Sequence, residues 1–417
     1  MNASVKLFLI GKNMSQKKRV FITGYGSVNC LNSGPHLARR MSAPPSRQAN
    51  AELPHSYPIG EIDCGEYGDG KLTRRMDRFT LLAYVAVKQA LKHAGVTEGQ
   101  LRRDRSGLVM NTCYGPLDST RRYVTKLIRD GAKKVPAAVF PNTVHNAFAG
   151  LITMELNIHG TNSTVSGQNP ICYGLDMIRE GRDDLMIVGG CDELLNVLET
   201  GMAASGLFGG SRARLDPHAD GFDLNSNSFV LGEGAAVIVL ESEESLNIRG
   251  GTALAEVLDY GMTNGLEGPA GAAFPADEQG IRIAMRQALK RSELDQNDIS
   301  FISAAYNGLP RLAKAEAAAI DDVFGADQSP LVCNAKSAIG ETLGAASTFS
   351  TLLAVDAIHS EHIPPIWHLA PSSSRRRFIT GQCVRARAEV ALVNSIDVGG
   401  AITSLAIRSI DSHGSRG

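Results

Sequence analysis

The stretch YGLDMIREGRDDLMIVGG, residues 173–190, decides the fold. Tyr173 to Glu180 reads as an amphipathic helix, and Asp184 to Gly189 as a short, continuously apolar strand bounded by charged residues and a glycine pair. A strand apolar on both faces belongs inside a parallel sheet covered by helices. The same alternation runs outward in both directions. Upstream lie strands at Arg19 to Tyr25 and Ser106 to Asn111 and helices at Arg75 to His93 and Asn146 to Asn157, with a further strand downstream at Ala235 to Glu241. The chain is α/β throughout.

The second half repeats the order. Strands are expected at Ala255 to Tyr260, Ile299 to Ala304, Leu331 to Asn334, Val390 to Asn394 and Ser404 to Arg408, and helices at Glu278 to Ser292, Ala313 to Phe324 and Ala345 to Ser360. Two similar halves imply internal duplication: an N-terminal extension over 1–17, a first half over 18–245 and a second over 246–417. Helices Asn146 to Asn157 and Ala345 to Ser360 are apolar or small on most faces, which suits helices held between two sheets. The expected architecture is a five-layer α-β-α-β-α sandwich. A simple doubly wound nucleotide-binding fold is disfavoured because GYGSVN after Ile22 lacks the third glycine of the phosphate-binding turn.

Composition narrows the function classes. With 42 basic against 43 acidic residues, the net charge of -1 gives no global attraction to nucleic acid or anionic membrane. The seven cysteines (30, 64, 113, 172, 191, 333, 383) are odd in number and never in CxxC spacing, which argues against a disulfide framework and a zinc site and fits a reducing cytoplasm. The opening MNASVKLFLIGKNMSQKKRV has too short an apolar run for a signal peptide or a membrane span, and Met14 is a candidate start.

Several segments, in order from about Arg19 to Arg408, carry a resemblance. RRMDRFTLLAYVAVKQALKHAGV (74–96), KVPAAVFPNTVHNAFAGLITMELNIHG (134–160), FDLNSNSFVLGEGAAVIVLE (222–241), KAEAAAIDDVFG (314–325), NAKSAIGETLGAAS (334–347) and NSIDVGGAITSLAI (394–407) resemble blocks of the β-ketoacyl synthases, a family of thiolase fold. That resemblance implies a search for a thiolate to carry an acyl chain and two imidazoles to stabilise developing negative charge. In the family the thiolate opens a buried helix shortly before the Gly-Gly strand. Counting back without gaps from Gly189 puts Thr164 there, a hydroxyl that would need an adjacent base to become nucleophilic.

The first imidazole position falls on Ala305, or on Tyr306 if the loop slips by one, and the second on Glu341. Between His218 and His359 the chain has no histidine, so the loss does not depend on the alignment. Lys336 and Glu316 match family residues that order the imidazoles. Here they read as a retained buried Lys-Glu pair, with Glu341 expected to neutralise Lys336.

Loss of every catalytic group on an intact scaffold, together with GLPRLAKAEA (308–317), resembles the chain-length factor, the ketosynthase beta subunit of type II polyketide synthases. Thr164 departs from the glutamine usual there, although Gln168 lies four residues on. The resemblance implies a heterodimer with an active ketosynthase alpha subunit, no cofactor or metal of its own, and a partner acyl carrier protein bearing a phosphopantetheine arm. It places tunnel or gate residues in 111–127 and 138–150, with Tyr114, Leu117, Asp118, Arg121 and Phe140 as candidates; core packing is the default for Phe140 and plain solvation for Arg121.

Cys172 reads as a packed core cysteine, and His145 and His159 as hydrogen-bonded core or interface residues. SSSRRRF (372–378) is either a docking patch for an acidic partner or a solvated loop. Two other readings stay open: a stand-alone acyltransferase or hydrolase using Thr164 or Cys172, and a homodimeric acyl-binding pseudoenzyme.

Overall fold

In the computed structural model, residues 17–410 are described apart from 35, 42–55, 63, 65, 66, 68–72, 75, 103, 136, 209–228, 266–272, 326–329 and 368–377. The expected extension over 1–17, save Lys17, and the SSSRRR segment lie outside the described residues.

The first half contributes β1 (Val20–Asn29), α1 (Arg78–His93), β2 (Ser106–Asn111), α2 (Leu117–Asp130), α3 (Ala147–Glu155), β3 (Asn162–Val165), α4 (Pro170–Arg179), β4 (Leu185–Asp192), α5 (Asn196–Ala204) and β5 (Gly234–Ser242). The second contributes β6 (Ala255–Asn264), α6 (Glu278–Arg291), β7 (Phe301–Ser303), α7 (Pro310–Phe324), β8 (Leu331–Cys333), α8 (Ala346–Ser360), β9 (Val390–Ile396) and β10 (Ala401–Ser409).

Within the first half the strands lie in the order β1-β5-β4-β2-β3, and within the second β6-β10-β9-β7-β8. In each, the first two pairings are antiparallel and the last two parallel, so the halves share one topology. They join where Val20 to Ile22 of β1 pair antiparallel with Ala255 to Val257 of β6. This is the duplicated thiolase fold.

Local chemistry repeats with the topology. The α1 helix is capped by Asp77, whose carboxylate accepts from Thr80 N–H at 2.9 Å, and α6 by Asp277, which accepts from Gly280 N–H at 2.8 Å. Both helices end in basic residues that suit the negative end of the helix dipole. Each lies directly on its strand because that strand offers glycine. A methyl group at Gly26 of β1 would stand 2.3 Å from Ala86 O of α1, and one at Gly261 of β6 would stand 2.0 Å from Ala284 O of α6.

The central layer corrects one expectation. The α8 helix is buried on every face, with Phe349, Leu352, Leu353 and Val355 at most 1% exposed. Its partner there is α4, whose Ile171, Leu175 and Ile178 share one core with α8 and with strands of both halves. Helix α3 is instead an outer helix that buries only one face, and Met154 is 76% exposed. Its small and apolar composition reads as burial in the sequence, yet the far face meets nothing in the isolated chain. Among the described residues no helix is long and apolar enough to cross a membrane.

Candidate functional site

The chain ends of β2, β4, β7 and β9, the loop before α8 and the strand β3 converge on one region. Its scaffold is built from buried carboxylates that tie loops together. Asp192, at the end of β4, accepts from Cys113 N–H (2.9 Å), Tyr114 N–H (2.9 Å), Thr112 Oγ1 (2.9 Å) and Gly344 N–H (2.8 Å). It thereby fastens a loop of the first half to one of the second. Burial pushes its carboxyl above the ordinary carboxylate value while these donors pull it back. On the other side Glu316 of α7 accepts from Ala305 N–H, Tyr306 N–H and Asn394 Nδ2 at 2.9 to 3.0 Å. Burial likewise pushes it up.

The floor differs from the expected pair. Lys336 Nζ bonds Glu341 Oε2 at 2.8 Å and donates to Ala305 O at 2.8 Å; Glu316, held by backbone and amide donors, bonds no lysine. Glu341 also accepts from Asn307 Nδ2 (3.0 Å) and Leu343 N–H (2.9 Å), and the side chains of Lys336 and Glu341 are 3% and 1% exposed. An ammonium and a carboxylate so enclosed require each other, because either alone would be an unpaired buried charge.

Thr164 is not at a helix start. It lies within β3, opposite Met110 of β2, and its buried Oγ1 has no hydrogen-bond partner. Helix α4 begins only at Pro170, capped by Asn169, whose Oδ1 accepts from Ile171 N–H at 3.0 Å. Proline at the first helical position and asparagine at the cap set that boundary. No base stands within bonding distance of the hydroxyl, so it has no route to a nucleophilic alkoxide. Cys172, in the first turn of α4, is buried in the core, and burial drives its thiol well above the ordinary value. Such a thiol is inert as a nucleophile.

The tunnel candidates divide. Tyr114 and Leu117 are half-buried against the second-half core. Asp118 opens α2, donates its N–H to Glu193 Oε1 at 2.8 Å, and pairs through its side chain with Arg121 at 2.7 Å and Arg122 at 2.5 Å. Phe140 is not core: it is 54% exposed, with Tyr123 5.8 Å away between ring centroids. His145 and His159 are also exposed rather than buried, His145 with its ring against Gly115.

Sequence reasoning missed Asp397, which is 3% exposed on the turn between β9 and β10, with an Oδ2 that no group hydrogen-bonds. Burial raises its carboxyl to about 7, with Glu341 adding to the rise and Lys336 opposing it. It missed Glu193 too, which burial raises to about 7. The Asp192-Glu193 pair directly after the Gly-Gly strand was the available signal, since acids placed at a strand's end inside an α/β site are seldom idle.

What the arrangement lacks is as informative as what it holds. Transfer of an acyl chain to a thiol requires a thiolate, and joining carbon to carbon requires donors aimed at the developing oxyanion. Of the three residues expected there, Thr164 is a partnerless hydroxyl that lies on a strand, Ala305 offers only a methyl group, and Glu341 is a carboxylate paired with Lys336.

The β-ketoacyl synthase N-terminal domain matches residues 43–245 and the β-ketoacyl synthase C-terminal domain matches 254–370. The chain belongs to the β-ketoacyl synthase family. Among curated relatives it is 30% identical over 344 residues to nodulation protein E of Rhizobium leguminosarum bv. trifolii, covering 80% of this chain and 83% of the relative. It is 28% identical over 384 residues to 3-oxoacyl-[acyl-carrier-protein] synthase 2 of Staphylococcus aureus strain COL, covering 85% and 89%. Among solved structures it superimposes on the ishigamide ketosynthase/chain length factor with a TM-score of 0.82 at 25% identity, covering 94% of this chain and 99% of that one.

Proposed function

We propose that this chain is a non-condensing ketosynthase subunit of the chain-length-factor kind, which pairs with an active ketosynthase and shapes the tunnel that receives a growing polyketide. One observation carries the reading: Glu341, at the position of the second family imidazole, is locked to Lys336 at 2.8 Å. A carboxylate there opposes the charge that condensation develops. The likeness to a structure described as a ketosynthase/chain length factor supports the same assignment.

The surface supports a protein mate. Strand β3 ends the sheet with one edge open, and a sheet edge is a ready template for pairing with another chain. In the same half, Val124, Ile128, Phe140, Val144 and Met154 are 40% to 79% exposed, a density of large apolar side chains that suits an interface better than water. Tyr114, on the loop into α2, and Leu117, the first residue of that helix, are half-buried and would contribute to lining the shared tunnel. The acyl groups would arrive on the phosphopantetheine arm of an acyl carrier protein that serves the mate, for an aromatic or aryl-polyene product.

Co-expression of a tagged copy with and without its neighbouring ketosynthase tests this. A stable one-to-one complex, with carbon-carbon bond formation only when the mate is present, is the expected result. Recovery solely as a homodimer indifferent to the ketosynthase, or elongation of an acyl thioester by the chain alone, would overturn it.

A further inference from the structure

Helix α2 is held by groups that lie outside it. None of its 14 residues is buried, so core packing does not fix its direction. Its start carries no cap of its own either: Pro116 occupies the cap position and makes no side-chain cap bond. The helices α1, α4 and α6 are capped locally, by Asp77, Asn169 and Asp277. For α2 the acceptors are imported. Glu193, one residue past β4, accepts from Asp118 N–H at 2.8 Å. Asp77, bonded through Oδ1 to α1, accepts through Oδ2 from Ser119 Oγ at 2.7 Å. The first turn of α2 is thus tied to the end of one strand and to the first turn of another helix.

The loop that leads into α2 is held in the same manner. Asp192 answers the N–H groups of Cys113 and Tyr114, the Thr112 hydroxyl that of Gly115 at 2.9 Å, Gly115 O that of Leu117 at 2.8 Å, and Glu193 that of Asp118. Pro116 has no N–H, so every backbone donor from 113 to 118 is answered. Tyr114 and Leu117 therefore project from a backbone fixed by hydrogen bonds, while their side chains are only half-buried. Glu193 is a costly residue for this task. It is 2% exposed, and Asp77, Asp118 and Glu233, all of like sign, lie in electrostatic reach, with Glu233 paired to Arg78 and Asp118 to Arg121. An apolar residue would avoid burying that carboxyl, but it would leave Asp118 N–H without an acceptor.

We propose that Glu193 is a positioning residue for product length: by holding Asp118 N–H it fixes the backbone at 117–118, so that Leu117 stands as a rigid stop for the acyl chain. This rests on the chain-length-factor reading above. Glu193 acts through the loop and touches no acyl group itself. Without it the loop stays bound to Asp192, but the start of α2 keeps only its side-chain tie to Asp77, and the stop yields to longer chains. Asp192 is unsuited to the same test, because it also accepts from Gly344 N–H and joins the two halves.

Two measurements test it. In the purified full chain, Glu193→Ala is expected to raise amide hydrogen exchange over 117–124 about fivefold, as for loss of one helix cap, with strand 234–242 unchanged. In the complex with the neighbouring ketosynthase, supplied with acyl carrier protein, the same variant is expected to lower the share of the wild-type product length about fivefold in favour of longer chains. Glu193→Gln keeps an acceptor oxygen and is expected to restore both readouts. A merely structural Glu193 would reduce the amount of complex without altering product lengths. Unchanged exchange in Glu193→Ala, or unchanged lengths from a complex that condenses, overturns the proposal. Should Glu193→Ala fail to fold, Ser119→Ala cuts the tie to Asp77 and carries the same expectations and the same refutations. A wild-type chain that pairs with no ketosynthase overturns the subunit assignment and the product-length claim together, whereas a working complex whose lengths ignore these variants overturns this proposal alone.

Discussion

Two sets of buried carboxyls lie within the same site, and the chain treats them in opposite ways. Asp192 and Glu316 hold loops together and have every oxygen answered by backbone or side-chain donors. Glu341 is paired with Lys336, while Asp397 nearby is left with an orphaned oxygen. The first set ties the loops of the two halves into one frame, and the second places a paired and an orphaned carboxyl inside that frame. The shape of the site is thus held by groups other than those that the proposed function makes chemically unusual.

The sharpest way to break this contrast is to cut a tether. Asp192→Ala strands four donors at the junction of the two halves, and is expected to lower stability by about 3 to 5 kcal/mol in urea denaturation, enough to unfold a marginal variant. The salt bridge comes next. Lys336→Met leaves Glu341 unpaired and should cost about 3 kcal/mol, whereas Lys336→Met with Glu341→Leu should recover most of that loss, as a double-mutant cycle would show.

The pH dependence is the third test. Asp397 and Glu193, both raised to about 7, prefer their protons in the folded state. Stability contributed by each is therefore full below about pH 4 and falls by about 1.4 kcal/mol per unit up to pH 7, then levels. Asp184 and Asp259, held below the ordinary carboxylate value, act only at lower pH, and His93, lowered by burial, opposes the fall near pH 6. Thermal melts from pH 4.5 to 8 should descend and then flatten, with Asp192 and Glu316 adding to the descent and Asp397→Asn removing part of it. Least of all, Arg121→Ala breaks an exposed pair with Asp118 and should stay within about 0.5 kcal/mol of wild type.

The fold was legible where burial is two-sided. Runs such as LMIVGG and AAVIVLE can only be covered strands, and the duplicated order of the elements follows from them. Helix α2 was passed over although Leu117, Val124, Leu127 and Ile128 form a helical stripe, because that stripe sits in a polar stretch after a proline; in the isolated chain it buries no residue. Thr164, Ala305 and Glu341 were assigned by family resemblance and by the run without histidine, neither of which shows how those residues are bonded. Thr164 illustrates the limit. Its number came from a gapless count, but the helix that the count presupposes starts at Pro170, so the residue lies on a strand. Asp397 was invisible for a different reason: an aspartate before glycines after a strand is ordinary turn chemistry, and only the surrounding burial makes it unusual.

The inner faces of both half-sheets close on a single layer made from α4 and α8, one helix from each half. Either half on its own would present that greasy inner surface to solvent, and so neither can be a self-sufficient folding unit. Scission near residue 250 should yield two insoluble fragments that regain a native body only when refolded together.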